Sequence, residues 1–275
     1  MPNIPTTSAW ATLSVSGPMA RTVEDVALLL SALAGPDPRS PLSRPEDPQQ
    51  FTQPLARDFT NTRVAWCLDF AGLPFDPRVT RALEPLASVF ADLGCVLETP
   101  QPDFSGADVA FKTLRAHAFA ANHHGLLETH REMLKDTVVW NIEQGLELSA
   151  LDLARAEEAR TNLFVRFAEL MQTYDYLVLP VTQVPPFDLN LPYPTEIAGT
   201  KMDTYIDWMK SCYYISAVGN PAVSVPAAFT EDGLPVGLQI VGRYGQDFEV
   251  LQLAYAFEQA TRVGDRHPPL KNLQP

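Results

Sequence analysis

Long apolar runs, basic charge and paired cysteines are all scarce in this sequence. No stretch approaches the roughly 18 apolar residues of a membrane helix, and the opening MPNIPTTSAW lacks the basic flank and apolar core of a signal peptide. The three cysteines, Cys67, Cys95 and Cys212, are odd in number and scattered, so we expect reduced, buried thiols and a cytoplasmic location.

Acidic residues outnumber basic ones by 33 to 20, and the formal net charge is −13. Binding to nucleic acid or to an anionic membrane surface would require a basic patch. The charge therefore argues against both kinds of partner.

The common catalytic sequence motifs are also missing. There is no G-x-S-x-G elbow, Walker loop, G-x-G-x-x-G, H-E-x-x-H or C-x-x-C. His117 and His124 are seven residues apart and share a helix face, but a metal site would need a third ligand and supporting groups. Cys212 has only Lys210 nearby as a charged neighbour, whereas a thiol nucleophile needs a base. We therefore expect no metal and no organic cofactor, and we interpret Cys212 as a packed core residue.

What the sequence does contain is enough apolar residues for a large core, at 46% of 275 positions. An apolar strand at 63–70 is followed by a helix that Asp76 and Pro77 open and Gly94 ends, and then by a strand at 95–99. This order predicts a βαβ unit with parallel strands.

Further elements follow the same logic. Thr22 with Asp25, and Ser149 with Asp152, have the spacing of helix capping boxes. We expect mostly helix over 107–173, a buried strand at 175–181, an aromatic helix near 201–218 and a final helix at 247–261. Two strands within 220–242 flank an Asp-Gly turn, and Gly237 indicates a bulge or a close approach of another chain segment. The predicted fold class is α/β, a mixed central sheet flanked by helices, in one domain over 1–275 without an internal boundary.

Aromatic side chains cluster in YIDWMKSCYY (205–214). Positions 205, 208 and 212 would form one row on a helix, with Tyr213 beside it. Apolar area with a few polar tips is typical of small-molecule pockets. Ordinary packing of a helix in the core explains the same pattern, and both interpretations stay open.

Three segments carry a family resemblance: SGPMARTVEDVALLLSALAGPDPRSP (16–41), DYLVLPVTQVPPF (175–187) and the stretch from GNPAVSVP to FEQAT (219–261). They resemble the amidase signature family in family order, over about residues 13–261. The resemblance implies hydrolysis of an amide bond by a lysine and two serines, the serines lying in a G-G-S-S-G-G-S loop. It also implies that the strand LVLPV and the 220–242 hairpin are scaffold and pocket wall.

That catalytic loop has no counterpart here. The early serines Ser8, Ser14 and Ser16 are not in a glycine-rich loop, and the first lysine is Lys112. We assign no catalytic residue and expect the chain to correspond to the C-terminal portion of such an enzyme, inactive alone. By the resemblance, the substrate is a small, apolar or aromatic amide, and its binding residues are Tyr205, Trp208, Tyr213, Thr182 and Gln183.

Three hypotheses follow from this resemblance. The chain is a fragment or truncated reading frame of an amidase, a subunit completed by a second polypeptide, or a stand-alone binding protein or enzyme with a different site. An incomplete sheet would leave unpaired edges. We therefore expect self-association, or a partner chain that supplies the missing half.

Overall fold

The computed structural model describes residues 7–266. Its main elements in chain order are α1 (Val23–Leu33), β1 (Arg63–Trp66), α2 (Pro77–Leu83), α3 (Ala87–Asp92), β2 (Val96–Glu98), α4 (Ala107–Thr129), α5 (Asp136–Leu146), α6 (Ala150–Thr173), β3 (Tyr176–Pro180), β4 (Glu196–Ile197), β5 (Thr200–Lys201), α7 (Lys210–Val218), β6 (Ala222–Phe229), β7 (Pro235–Gly242) and α8 (Asp247–Thr261).

Five strands form a mixed sheet in the order β2-β1-β3-β7-β6. β1 pairs in parallel with both β2 and β3, whereas β7 pairs antiparallel with β3 and β6. The predicted α/β class, the parallel βαβ unit and the 220–242 hairpin are confirmed.

Helices cover both faces of this sheet. Alternate residues of the strands point to opposite faces. Val178 and Ile240 join the core beneath α1 and α8, while Leu177 and Val241 join the core beneath α6 and α7. In residues 7–266, the sheet thus lies between two apolar cores.

Local sequence chemistry explains the helix boundaries. The Thr22 side chain accepts a hydrogen bond from the Asp25 backbone, and Ser149 with Asp152 forms a full capping box at α6. The predicted helix after Asp76 is interrupted by a 3₁₀ turn at Glu84–Leu86, because Pro85 has no N–H to continue the α-helical pattern.

The β6–β7 pairing is irregular opposite Gly237. The register shifts between Pro226 and Ala228 on β6. A Cβ atom at Gly237 would lie 3.1 Å from Val181 Cγ2, so glycine permits close packing against the chain leaving β3. Within residues 7–266, no helix is both long enough and apolar enough to cross a membrane.

Candidate functional site

All the predicted substrate-binding residues lie on, or just after, the β3–α7 segment, which we define as residues 181–209. It leaves the central sheet at Pro180 and turns back through the small β4–β5 hairpin. The two loop residues of that hairpin, Ala198 and Gly199, both have positive φ (47° and 82°), as a type I′ turn requires. The segment then enters α7 at Lys210.

Gln183 anchors the start of this segment. Its side chain is fully buried, its Nε2 donates to Pro74 O at 3.0 Å, and its Oε1 accepts from the Lys210 backbone at 2.7 Å. Both ends of the amide are therefore used within the chain. The structure places Gln183 as an internal tether, with its side chain shielded from solvent.

Thr182 and Trp208 lie nearer the surface. The Thr182 hydroxyl donates to Val184 O at 2.8 Å, which fixes the bend that follows β3. Trp208 is partly exposed and packs edge-to-face against Phe187, with ring centroids 5.3 Å apart. The Trp208 indole therefore keeps surface that a ligand could contact.

Tyr213 faces α4. It is 2% exposed, its ring stacks on Phe111 at 4.2 Å, and its hydroxyl donates to Asp108. Burial and the neighbouring carboxylate together raise the pKa of Tyr213 well above its usual range. Tyr213 therefore joins α7 to α4 as a neutral phenol.

Tyr205 lies between α4 and α5. Its hydroxyl accepts hydrogen bonds from Arg115 Nη2 at 3.0 Å and from Asn141 Nδ2. The rings of Trp140 and Tyr193 lie 6.0 Å and 6.5 Å away. These neighbours differ from those of Trp208 and Tyr213.

The predicted single helix face is therefore wrong. α7 begins only at Lys210, Trp208 lies in a 3₁₀ turn (Asp207–Met209), and Tyr205 precedes that turn. Asp207 causes the late start, because its carboxylate accepts from the Thr204 backbone at 2.7 Å and from the Thr204 hydroxyl at 2.9 Å. This side-chain turn competes with helix over 204–207.

Two lysines and two aspartates form a network that the sequence patterns above did not predict. Lys112 Nζ lies 2.7 Å from Asp207 Oδ1 and 3.1 Å from Asp108 Oδ2, and Lys210 Nζ lies 3.4 Å and 3.6 Å from the same two carboxylates. The spacings Asp108–Lys112 and Asp207–Lys210 were available as a signal, since such residues share a helix face.

For Lys112 and Asp207, the surroundings favour the charged forms. Burial would lower the pKa of Lys112, but hydrogen bonds to Asp207 and Asp108 outweigh it and raise the pKa above 10.5. Burial would likewise raise the pKa of Asp207, but hydrogen bonds from Lys112 and Thr204 bring it below 3.8. These two lysine ammonium groups are held by carboxylates.

The surroundings of Cys212 do not activate its thiol. Burial raises the pKa of Cys212 to about 11, and its Sγ lies 2.9 Å from Val181 O. A thiol so placed stays protonated at neutral pH. Among residues 7–266, no group of three or more His, Cys, Asp or Glu side chains could hold a metal ion.

Two clefts lie near these elements. One of about 180 Å³ is bordered by Asp207 and Lys210 together with Pro74 and residues 200–203. The other, about 450 Å³, lies between α6 and the end of β7. None of the five predicted binding residues lines either cleft. The first is smaller than the roughly 300–1,000 Å³ typical of small-molecule pockets.

Comparison with known proteins identifies the family. A family model described as Amidase matches residues 1–251. The chain belongs to the amidase signature family. Among curated relatives, it is 30% identical to an acylamidase of Rhodococcus erythropolis, over 92% of this chain and 53% of that protein. It is also 30% identical to a glutamyl-tRNA(Gln) amidotransferase subunit of Thermus thermophilus, over 94% of this chain and 58% of that protein.

Solved structures of two hydrolases share the fold. A bacterial aryl acylamidase of this family aligns with a TM-score of 0.82 at 24% identity, covering 95% of this chain and 58% of that one. A 6-aminohexanoate cyclic dimer hydrolase aligns at 0.80 and 21%, covering 92% and 56%. The chain thus spans a little over half the length of these relatives.

Proposed function

We propose that residues 1–275 form one partial domain that supplies the sheet scaffold and a pocket wall of an amide hydrolase, and that by themselves they do not hydrolyse amides. The observation that carries the proposal is family membership combined with a site that offers no nucleophile. Lys112 and Lys210 are engaged by carboxylates, and no serine matches the family's glycine-rich loop. The substrate we propose is a small amide with an apolar or aromatic group.

The geometry supports a pocket wall in which buried residues fix the positions of partly exposed ones. Gln183 and Tyr213 are internal and join the β3–α7 segment and α7 to their surroundings. Trp208 and Tyr205 are partly exposed, and Thr182 shapes the bend between them and β3. We therefore propose that Tyr205 and Trp208 touch the substrate, while Thr182, Gln183 and Tyr213 hold them in place.

A second candidate function is that of a subunit completed by another chain. It is favoured by the 30% identity to an amidotransferase subunit and by the eight-residue strand β6 at one edge of the sheet. A non-catalytic binding protein is the remaining alternative. For each, the net charge of −13 and the three separate cysteines support a cytoplasmic protein that does not bind nucleic acid or membranes.

The test is an activity assay on purified polypeptide 1–275 with a panel of aryl and alkyl amides. We expect no turnover above that of a mock purification from the same host. Turnover that follows the protein through successive columns, and disappears in a variant of the chain, would overturn the proposal. Loss of such turnover in Cys212→Ala would assign it to the thiol.

Genomic DNA preceding the codon for Met1 gives an independent test. We expect codons for a G-G-S-S-G-G-S loop there, in frame or displaced by a frameshift. If such codons are instead found in a separate gene, the two-chain hypothesis replaces the single-enzyme one.

A further inference from the structure

The Tyr205 hydroxyl has a proton with no acceptor in the described part of the chain. Its two hydrogen-bond partners are Arg115 Nη2 and Asn141 Nδ2. A guanidinium can only donate. The Asn141 amide is oriented by Thr137 O, which accepts from the same Nδ2 at 2.6 Å. Both contacts therefore use the phenolic oxygen as an acceptor, and no acceptor among residues 7–266 takes the phenolic proton.

Arg115 carries a positive charge that no carboxylate neutralises. Within the part of the chain that the structure describes, no Asp or Glu oxygen lies within 4.0 Å of its guanidinium, and its Nε is buried without an acceptor. The guanidinium lies over the Phe119 ring at 4.6 Å. A cation in such apolar surroundings favours an anionic partner. Lys112, one turn earlier on α4, does not share this property because Asp108 and Asp207 pair with it.

Close packing of α4 against α5 brings these groups together. A Cβ atom at Gly145 would lie 2.1 Å from Ala116 O, so only glycine permits this helix approach. Ala116 follows Arg115 on α4, and Asn141 lies one turn before Gly145 on α5. The sequence thereby fixes an arginine and an asparagine on either side of the Tyr205 hydroxyl.

Two aromatic side chains border the same position. Trp140 on α5 and Tyr193 on the β3–α7 segment lie edge-on to the Tyr205 ring. Trp140, Tyr193, Tyr205 and Arg115 are all partly exposed. The arrangement combines an anion-binding donor pair with apolar walls at the surface.

We propose that Arg115 and Tyr205 bind the carboxylate of an amide substrate whose aromatic or apolar body lies against Trp140 and Tyr193. This inference rests on the proposed amide-hydrolase function and narrows its substrate to carboxylate-bearing amides. Arg115 supplies the charge, Tyr205 donates its free proton, and Asn141 holds the phenolic oxygen in place.

The experiment compares two probes on polypeptide 1–275 by isothermal titration calorimetry. N-benzoylglycine carries an aromatic amide and a carboxylate, and its methyl ester is the matched neutral probe. We expect N-benzoylglycine to bind with at least about tenfold higher affinity than the ester, since hydrogen bonds to a charged group are the stronger ones. Equal affinities, or no binding of N-benzoylglycine at millimolar concentration, would overturn the inference.

Variants assign the preference to the proposed residues. Tyr205→Phe removes the donated proton. Asn141→Asp places a carboxylate against the Tyr205 hydroxyl, where it would accept that proton in place of the ligand. Each variant is therefore expected to abolish the preference for N-benzoylglycine. Tyr255→Phe, on α8 beyond the opposite face of the sheet, is the control and should keep it. Thermal melts report whether each variant is folded. A preference that survives in folded Tyr205→Phe and Asn141→Asp would show that this cluster only joins the helices.

The carboxylate site is tested by binding and the proposed function by turnover, so each proposal can be overturned without the other. Amide hydrolysis by residues 1–275 alone would overturn the proposed function and leave the probe comparison valid. Loss of the carboxylate preference would overturn only the present inference.

Discussion

At the scale of a single residue, the buried side-chain amide of Gln183 leads to a prediction about stability. In Gln183→Leu, Pro74 O and the Lys210 N–H would both lose their partners inside the protein. Each unsatisfied buried group costs about 1–3 kcal/mol, so for the two groups we expect the free energy of unfolding to fall by about 2–6 kcal/mol.

Urea denaturation measures this difference. Gln101→Leu is the control, because Gln101 is exposed and such surface changes usually stay within about 0.5 kcal/mol. If the two variants unfold at the same urea concentration, Gln183 is not a tether. That result would favour the expectation from the sequence that Gln183 contacts the substrate.

At the scale of elements, the Lys112–Asp207 contact ties α4 to the turn before α7. The Asp207 side chain is 5% exposed, and Asp108 would remain as a partner for Lys112 in Asp207→Asn. We therefore expect this variant to lose about 3 kcal/mol at neutral pH, the lower end for breaking a buried ion pair.

The pH dependence of that loss has a definite sign. The pKa of Asp207 lies below 3.8 in the folded chain, so its contribution is present above pH 3.8 and disappears as the pH falls through the folded value. The pKa of Lys112 is raised above 10.5, so its contribution is present below pH 10.5 and is lost at higher pH. Denaturation of wild type and Asp207→Asn across pH should give a constant difference between these limits that shrinks outside them. A difference that varies between pH 5 and 9 would contradict this assignment.

The same elements show what local sequence could predict. The caps at Thr22 and Ser149 depend on residues three positions away. The side-chain cap forms at both positions, and the full capping box is present at Ser149. The prediction of one aromatic row on a helix from Tyr205 is wrong. The Asp207 carboxylate accepts a hydrogen bond from the Thr204 backbone, and α7 begins only at Lys210. The Lys112–Asp207 pair joins residues 95 positions apart, a separation that no local spacing pattern reveals.

The hydrogen bonds of Tyr205 also join residues that are far apart in sequence. Arg115 is 90 residues away from it in sequence, and Asn141 is 64. The aromatic residues were visible in the sequence as a pocket candidate, but their neighbours depend on how α4 and α5 pack. Fold class followed from patterns within elements, whereas the arrangement of the site depended on contacts between them.

At the scale of the whole molecule, the two edges of the sheet are unequal. β2 has only three residues, whereas β6 has eight and pairs with β7 on one side. A long edge strand presents unpaired backbone groups that favour pairing with another chain. Large apolar side chains are also exposed elsewhere on the surface, among them Trp10 at 72% and Met19 at 93%. Both features favour association.

We therefore expect polypeptide 1–275 to self-associate in a concentration-dependent way, with β6 as a main contact. Ser224 is exposed at the middle of β6, and a lysine there would place a charge on the edge, which natural proteins use to block strand pairing. Ser224→Lys should lower the average mass measured by light scattering at micromolar concentration. Ser88→Lys, an exposed change of the same charge on α3, should leave that mass unchanged. A wild-type chain that stays monomeric with a sharp cooperative melt would show that β6 needs no partner, and would favour the stand-alone hypothesis over a shared sheet.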